Sequence, residues 1–211
     1  FIINGSEKVV VSQERTCVNK VYCFKKKHLK YRNIVEIKSL GKKYGIIRSI
    51  LIKLTNNLNS KLSTIKVTIP HIKIDIPLFI LFRLLGIESD KKIVDYIYLY
   101  LSDENKLKFS SIIKNSIQDA KDIKTQEQAF NYIIKYINIT YNDSLSDEKK
   151  KNYVKDILRK EFLPHLEKLE HEENNLNAKI IFIGHMVRKL LLTTFGVIKY
   201  NDRDSYINKR V

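Results

Sequence analysis

An α+β fold with strands first and helices after is what the residue pattern predicts, and three observations carry it. In the N-terminal part apolar residues alternate with polar ones, as Ile65, Val67 and Ile69 do with Thr64, Lys66 and Thr68. From Leu78 onward they recur at helical spacing, as at Ala129, Phe130, Ile133, Ile134 and Ile137. Ahead of that stripe stands Thr125-x-x-Gln128, the pattern of a capping box. Period two belongs to a half-buried strand, and period 3.6 to a helix with one buried stripe.

The elements follow in order. Asn4-Gly5 supplies the positive φ angles of a tight turn between Phe1-Ile2-Ile3 and Lys8 to Val11, so the chain opens with a hairpin. Val21 and Cys23, then Ile50, Ile52 and Leu54, alternate with polar neighbours as strands do, and Asn56 to Asn59 is loop material between them and the strand at Ile65. After Pro70 and Pro77 the period changes: Leu78, Leu81, Phe82 and Leu85 fit a short helix that stops at Gly86. Ser144-x-x-Asp147 repeats the helix start signal ahead of Val154, Ile157, Leu158 and Phe162, and Pro164 disfavours continuation because it lacks an N–H and its ring clashes. The last helix, from about Asn175 to Phe195, buries Ile180, Ile183, Val187 and Leu191, with Gly196 as its stop.

Composition narrows the function classes. Thirty-nine Lys and Arg against 23 Asp and Glu give a formal charge of +16, which favours acidic or phosphate-bearing partners and equally supports solubility. Cys17 and Cys23 are the only cysteines, too few for a four-sulfur zinc site or a disulfide framework, and a reducing compartment fits. The bias toward Lys, Ile, Asn and Tyr is what AT-rich coding sequence produces, from a large DNA virus or an AT-rich cellular genome, with the virus preferred. The chain opens on Phe1-Ile2-Ile3 without an initiating Met or a charged n-region, which reads as a piece of something longer. The best apolar runs are broken by Arg83 in one case and by His185, Arg188 and Lys189 in the other, so neither would span a bilayer.

Five blocks of residues carry a family resemblance. Phe1-Ile2-Ile3-Asn4-Gly5-Ser6-Glu7-Lys8-Val9, with Gln13-Glu14-Arg15, is the first. Thr64 to Pro70 running into Asp75-Ile76-Pro77 and Phe82-Arg83-Leu84-Leu85-Gly86-Ile87 is the second, Asp156 to His165 the third, and Phe182-Ile183-Gly184-His185-Met186-Val187-Arg188-Lys189-Leu190-Leu191 the fourth. Asn201-Asp202-Arg203-Asp204 with Asn208-Lys209-Arg210 closes the series. In this order and spacing the chain resembles the lobe of the second-largest subunit of multisubunit DNA-directed RNA polymerases of the eukaryotic and viral type, with the flanking protrusion segments. Asn201 stands where the family usually has Asp, and Ser205 where His is frequent.

The resemblance implies residues 1–16 as the end of a first protrusion segment, 17–198 as the lobe and 199–211 as the start of a second protrusion segment. An inserted domain leaves and rejoins its host at neighbouring points. The Phe1 to Val11 hairpin and the Asp202 to Arg210 segment are therefore expected on one side of the molecule. The resemblance further implies a subunit of a nucleotidyltransferase whose two-metal chemistry is carried elsewhere: Mg belongs to the whole polymerase, and no catalytic, cofactor or metal residue is expected in this segment. Partners implied are other polymerase subunits, the largest above all, DNA and initiation factors, with no membrane. The location implied is intracellular, the nucleus of a cell or the factory or virion of a virus.

Read from residue type alone, Lys25-Lys26-Lys27-His28 with Lys30 and Arg32, and the Arg203, Lys209 and Arg210 group, are the candidate phosphate contacts, of a kind that guides DNA without reading bases. Lys149-Lys150-Lys151 opens a helix and is more simply a solvated face. Asp202-Arg203-Asp204 beside Lys209 and Arg210 reads as an ion-pair network rather than a metal site. His165, His171, Glu172 and Glu173 lack any recognised ligand spacing. Two other functions compete with the polymerase reading: a stand-alone basic nucleic-acid-binding protein and a pure protein-interaction module.

Overall fold

The structure is a computed structural model that describes residues 1–26, 30–41, 45–55, 62–137, 146–167 and 172–210, the side chains of 172–174 excepted. Asn4 and Gly5 take φ of 51° and 75°, and the turn they make pairs β1 (Ile2–Ile3) antiparallel with β2 (Ser6–Glu7). The second strand lies nearer the turn than the Lys8 to Val11 run predicts. A two-residue turn sets Ile3 opposite Ser6 and Ile2 opposite Glu7, and the Phe1 carbonyl accepts from the Lys8 amide. Val9, Val10 and Val11 lie outside the strands and are exposed.

After β3 (Arg15–Thr16), five strands form one antiparallel sheet in sequence order: β4 (Val21–Lys25), β5 (Tyr31–Leu40), β6 (Ile47–Thr55), β7 (Ile65–Thr68) and β8 (Ile76–Pro77). The register lines up the apolar alternates: Ile37 faces Val21 and Ile50, and Ile52 faces Val35 and Val67. All of these are buried on one face, while Glu36, Lys38, Lys53 and Lys66 stand on the other. β5 carries the same alternation, but a register shift between Tyr31 and Asn33 interrupts it at its start.

The helices cover the inner face. α1 (Leu78–Leu84) follows β8 directly and is buried on every side, as a central apolar helix must be. Gly86, at φ 99°, ends it as expected. α2 (Asp90–Tyr98), α3 (Asp103–Gln118) and α4 (Gln126–Ile134) pack on α1, while α5 (Asp147–Asp156) packs on α4 and α6 (Glu172–Thr194) on α2 and the sheet. One contiguous core joins them to the sheet.

The Thr125 capping box forms both of its bonds, Thr125 Oγ1 accepting from the Gln128 amide and Gln128 Oε1 from the Thr125 amide, each at 3.3 Å. The start signal at Ser144 and the linker at Asn56 to Asn59 lie outside the described residues; Ser146 stands at the N-cap position of α5, with no capping hydrogen bond from its side chain. Beyond α5 a π turn (Ile157–Glu161) leads to Leu163, at φ 52°, and to the short 3₁₀ turn opened by Pro164, so the helix stops where the proline predicts.

α2 and α6 touch at Gly184. A Cβ there would sit 2.7 Å from the Tyr96 carbonyl oxygen, which is backbone and cannot rotate away. Gly184→Ala is thus expected to push the helices apart at a cost of about 1–3 kcal/mol, measurable as a lower midpoint in urea unfolding with an unchanged slope.

The two end segments meet. β9 (Lys209–Arg210) pairs antiparallel with β3, Thr16 opposite Lys209 and Arg15 opposite Arg210. The strand that follows the opening hairpin and the last described residues of the chain thus lie side by side.

Candidate nucleic-acid interface

β4 ends at Lys25, exposed and followed by exposed Lys26, whose amide donates to the Arg32 carbonyl of β5 at 3.1 Å. Lys30 and Arg32 are exposed at the same end of the sheet. Asn33 draws in a third segment: its Nδ2 donates to Thr194 Oγ1 at 2.7 Å, and its Oδ1 accepts from the Tyr200 hydroxyl at 3.1 Å. Exposed Lys199 thereby joins the group. Among the described residues Lys25, Lys26, Arg32 and Lys199 form no ion pair. Lys27 and His28 lie outside the described residues.

The other predicted cations are placed differently. Arg203 lies over the Phe24 ring, 4.3 Å from its centroid, with Glu36 4.0 Å away, on the outer face of the sheet. Lys209 pairs with Glu14 at 2.9 Å, and the hydrogen bond to that carboxylate raises its pKa. It therefore uses a carboxylate from the start of the chain rather than Asp202 or Asp204, while Asp202 Oδ1 accepts from the Asp204 amide in a local turn. Arg210 faces Arg15 across the β3–β9 pair, which leaves two like charges side by side at the junction. Lys25 and Lys26 are thus at the sheet end, and Arg203, Lys209 and Arg210 are at or near the junction of the two end segments.

That junction is held by two asparagines that residue type alone does not single out. Asn201 Oδ1 accepts from the Cys23 amide at 2.8 Å and the Asn201 amide donates to the Cys23 carbonyl at 2.9 Å. An Asp carboxylate could accept the same bond, so the departure at this position keeps the contact. Asn208 is buried; its carbonyl accepts from the Cys17 amide, its Nδ2 donates to the Asp202 carbonyl and its Oδ1 accepts from Lys20 Nζ at 2.9 Å.

Carboxylates on the outer face are already engaged. Asp75 accepts from Lys53 at 2.8 Å, Tyr31 at 2.7 Å and Thr68 at 2.7 Å. Burial works to raise its pKa, but those three donors outweigh it and hold the carboxyl below its ordinary value. The Tyr31 hydroxyl, donating to Asp75, is pushed up to about 12. Cys23 is buried and its thiol is pushed up by that burial, the environment of an unreactive thiol.

His165 places Nδ1 2.7 Å from Ser39 Oγ and packs edge-on to Phe182, while His171 and the side chains of Glu172 and Glu173 are outside the described residues. Among the described residues no group of three or more His, Cys, Asp or Glu could hold a metal ion, and no helix is long and apolar enough to cross a membrane.

Comparison with known proteins decides the family. The family described as RNA polymerase Rpb2, domain 2, matches residues 18–211. The chain belongs to it. This is the lobe domain of an RNA polymerase second-largest subunit, as the five sequence blocks imply. Relatives include the DNA-directed RNA polymerase II subunit RPB2 of Eremothecium gossypii, 38% identical over 213 residues, and that of Encephalitozoon cuniculi, 39% identical over 212. The DNA-directed RNA polymerase subunit 2 of Acanthamoeba polyphaga mimivirus is 30% identical over 227 residues. Each match covers 100% of this chain, which spans 17% of the two RPB2 relatives and 18% of the mimivirus subunit.

Proposed function

We propose that this lobe serves a DNA-directed RNA polymerase as a non-catalytic wall of the DNA cleft, with an outer surface for other subunits or initiation factors. The observation that carries the reading is the cation cluster at the sheet end, where Lys25, Lys26, Arg32 and Lys199 meet no carboxylate among the described residues. Cations left without partners on a rigid sheet suit phosphate neutralisation, which holds a duplex in place and carries no sequence information. Nucleotidyl transfer and the Mg that supports it belong to other parts of the enzyme. Such a polymerase works in the nucleus of a cellular host or in a viral factory.

Duplex DNA binding by the chain across a salt series tests this. Log affinity should fall linearly with log salt, and changing Lys25 and Lys26 to Ala should lessen the slope by about 2, close to one unit for each phosphate no longer neutralised. Binding that ignores salt, or a slope the double variant leaves unchanged, would leave the lobe with protein contacts alone.

A further inference from the structure

Asn33 sits where β5, the end of α6 and the segment after it meet at the cationic end of the sheet. It is fully buried, and β5 is irregular just ahead of it: Tyr31 faces Thr55 and Asn33 faces Leu54, so Arg32 has no partner in β6. A bulge of this kind re-aims the side chains around it. On its other side Asn33 faces Lys25 of β4.

The hydrogen bonds of Asn33 have one possible polarity. Thr194 Oγ1 lies 2.7 Å from the Leu190 carbonyl, which can only accept, so the Thr194 hydroxyl spends its proton there. Thr194 Oγ1 therefore accepts from Asn33 Nδ2 at 2.7 Å, and this turns Asn33 Oδ1 toward the Tyr200 hydroxyl, its donor at 3.1 Å. Thr194 is the last residue of α6. One buried amide thus binds both ends of the link from Phe195 to Lys199.

That link is laid beside β4. The Cys17 amide donates to the Asn208 carbonyl, and the Asn201 amide to the Cys23 carbonyl, so the segment runs antiparallel to the chain from Cys17 to Cys23. Two residues beyond the Cys23 and Asn201 pair, exposed Lys199 comes alongside exposed Lys25. Like charges brought together in this way repel, and a phosphate set against them relieves the repulsion.

We propose that Asn33 is a positioning residue for the phosphate contact: by clamping both ends of the link it holds Lys199 next to Lys25, so that two ammonium groups meet the DNA backbone together. Being fully buried, Asn33 touches no DNA and acts only through Lys199. This rests on the cleft-wall reading above, because the phosphates are those of the duplex proposed there.

The test uses the assembled polymerase bound to duplex DNA, with benzoylphenylalanine placed at position 199 or, separately, at position 25 of the lobe. Both are expected to give photo-adducts with the DNA. Asn33→Leu, which keeps the size of the side chain and loses both bonds, should lower the adduct from position 199 about fivefold, and Tyr200→Phe, which loses one bond, about twofold. The adduct from position 25 should keep its yield in both variants. An asparagine that only stabilises the fold would lower the melting temperature and leave the two yields in their parental ratio. That result, or a yield from position 199 that either variant leaves unchanged, overturns the proposal. If Asn33→Leu does not enter the polymerase, Tyr200→Phe decides alone. Adducts from position 25 with none from position 199 overturn the positioning role and leave the cleft wall standing, whereas none from either position sinks both.

Discussion

Replacing Arg83 with Met is expected to cost about 1–3 kcal/mol, lowering the melting temperature of a chain of this size by about 5 °C. Arg83 is 2% exposed, in the last turn of α1. Its Nη1 donates to the Ala120 carbonyl at 2.7 Å and to the Ile123 carbonyl, and its Nη2 reaches Asp90 Oδ1, the first residue of α2, at 2.5 Å. One guanidinium therefore joins α1, the start of α2 and the turn that ends α3, where carbonyls have no partner inside their own helix. Met keeps the length and packing of the side chain but takes the donor from the half-buried Ile123 carbonyl and leaves the Ala120 carbonyl with the Ile123 amide alone, at 3.2 Å, a loss of about 1–3 kcal/mol in all. The control is Asp90→Asn: the Asp90 side chain is 42% exposed, water can replace the guanidinium there, and the loss should stay within about 1 kcal/mol. Equal losses in calorimetry of the two variants would show that the ion pair, not the carbonyls, carries the joint.

The second large effect concerns Lys179, a fully buried lysine on α6. Its Nζ donates to the Leu158 carbonyl at 2.8 Å and the Arg159 carbonyl at 2.6 Å, in the π turn that ends α5. An ammonium at a helix C-terminus satisfies orphan carbonyls and complements the helix dipole. Burial nevertheless pushes its pKa down to about 8, only partly offset by Glu167.

The sign follows from proton counting. Between pH 8 and about 10.4, the ordinary lysine value, the unfolded chain holds a proton that the folded chain has released. Stability contributed by this group is therefore complete above that window and is lost as pH falls through 8. Its full size is on the order of 3 kcal/mol. Lys179→Met has no such titration but leaves the two carbonyls unpaired. Urea unfolding at pH 7.5 and pH 10 should show Lys179→Met less stable than the parent, with the difference growing by about 2–3 kcal/mol at the higher pH. A gap that stays constant or narrows would mean that the amine is not held charged against burial at neutral pH.

Both residues show where sequence reading stops. Arg83 is visible as the one charge in an apolar run, which excludes a membrane span, but its acceptors come from the turn at Ala120 to Ile123, beyond the next two helices. Lys179 sits on a helix whose buried positions, Ile180, Ile183, Val187 and Leu191, are legible from their spacing. Nothing in that spacing says that the lysine beside Ile180 is buried too, because its burial depends on where the end of α5 comes to rest. The Thr125 capping box, by contrast, is legible in full, since both partners lie within four residues.

Among the candidate contacts the same division holds. Lys25 and Lys26 are legible as a cation run, and so are Arg203, Lys209 and Arg210. Which of them remain free for a polyanion is not, for Glu36 meets Arg203 and Glu14 meets Lys209 only through the sheet and the β3–β9 pair. Lys199 joins the sheet-end group only because Tyr200 and Thr194 bind Asn33.

By itself, then, the amino-acid order determined the class of fold, the succession of strands and helices and, through five blocks of residues, the polymerase family. Tertiary structure decided the partners of the buried cations and the pairing of Thr16 with Lys209 and Arg15 with Arg210 by which the two end segments meet. The reason is range: period and caps are set by backbone geometry over a few residues, whereas a charge or an exposed side chain acquires its neighbours from segments far away in the chain.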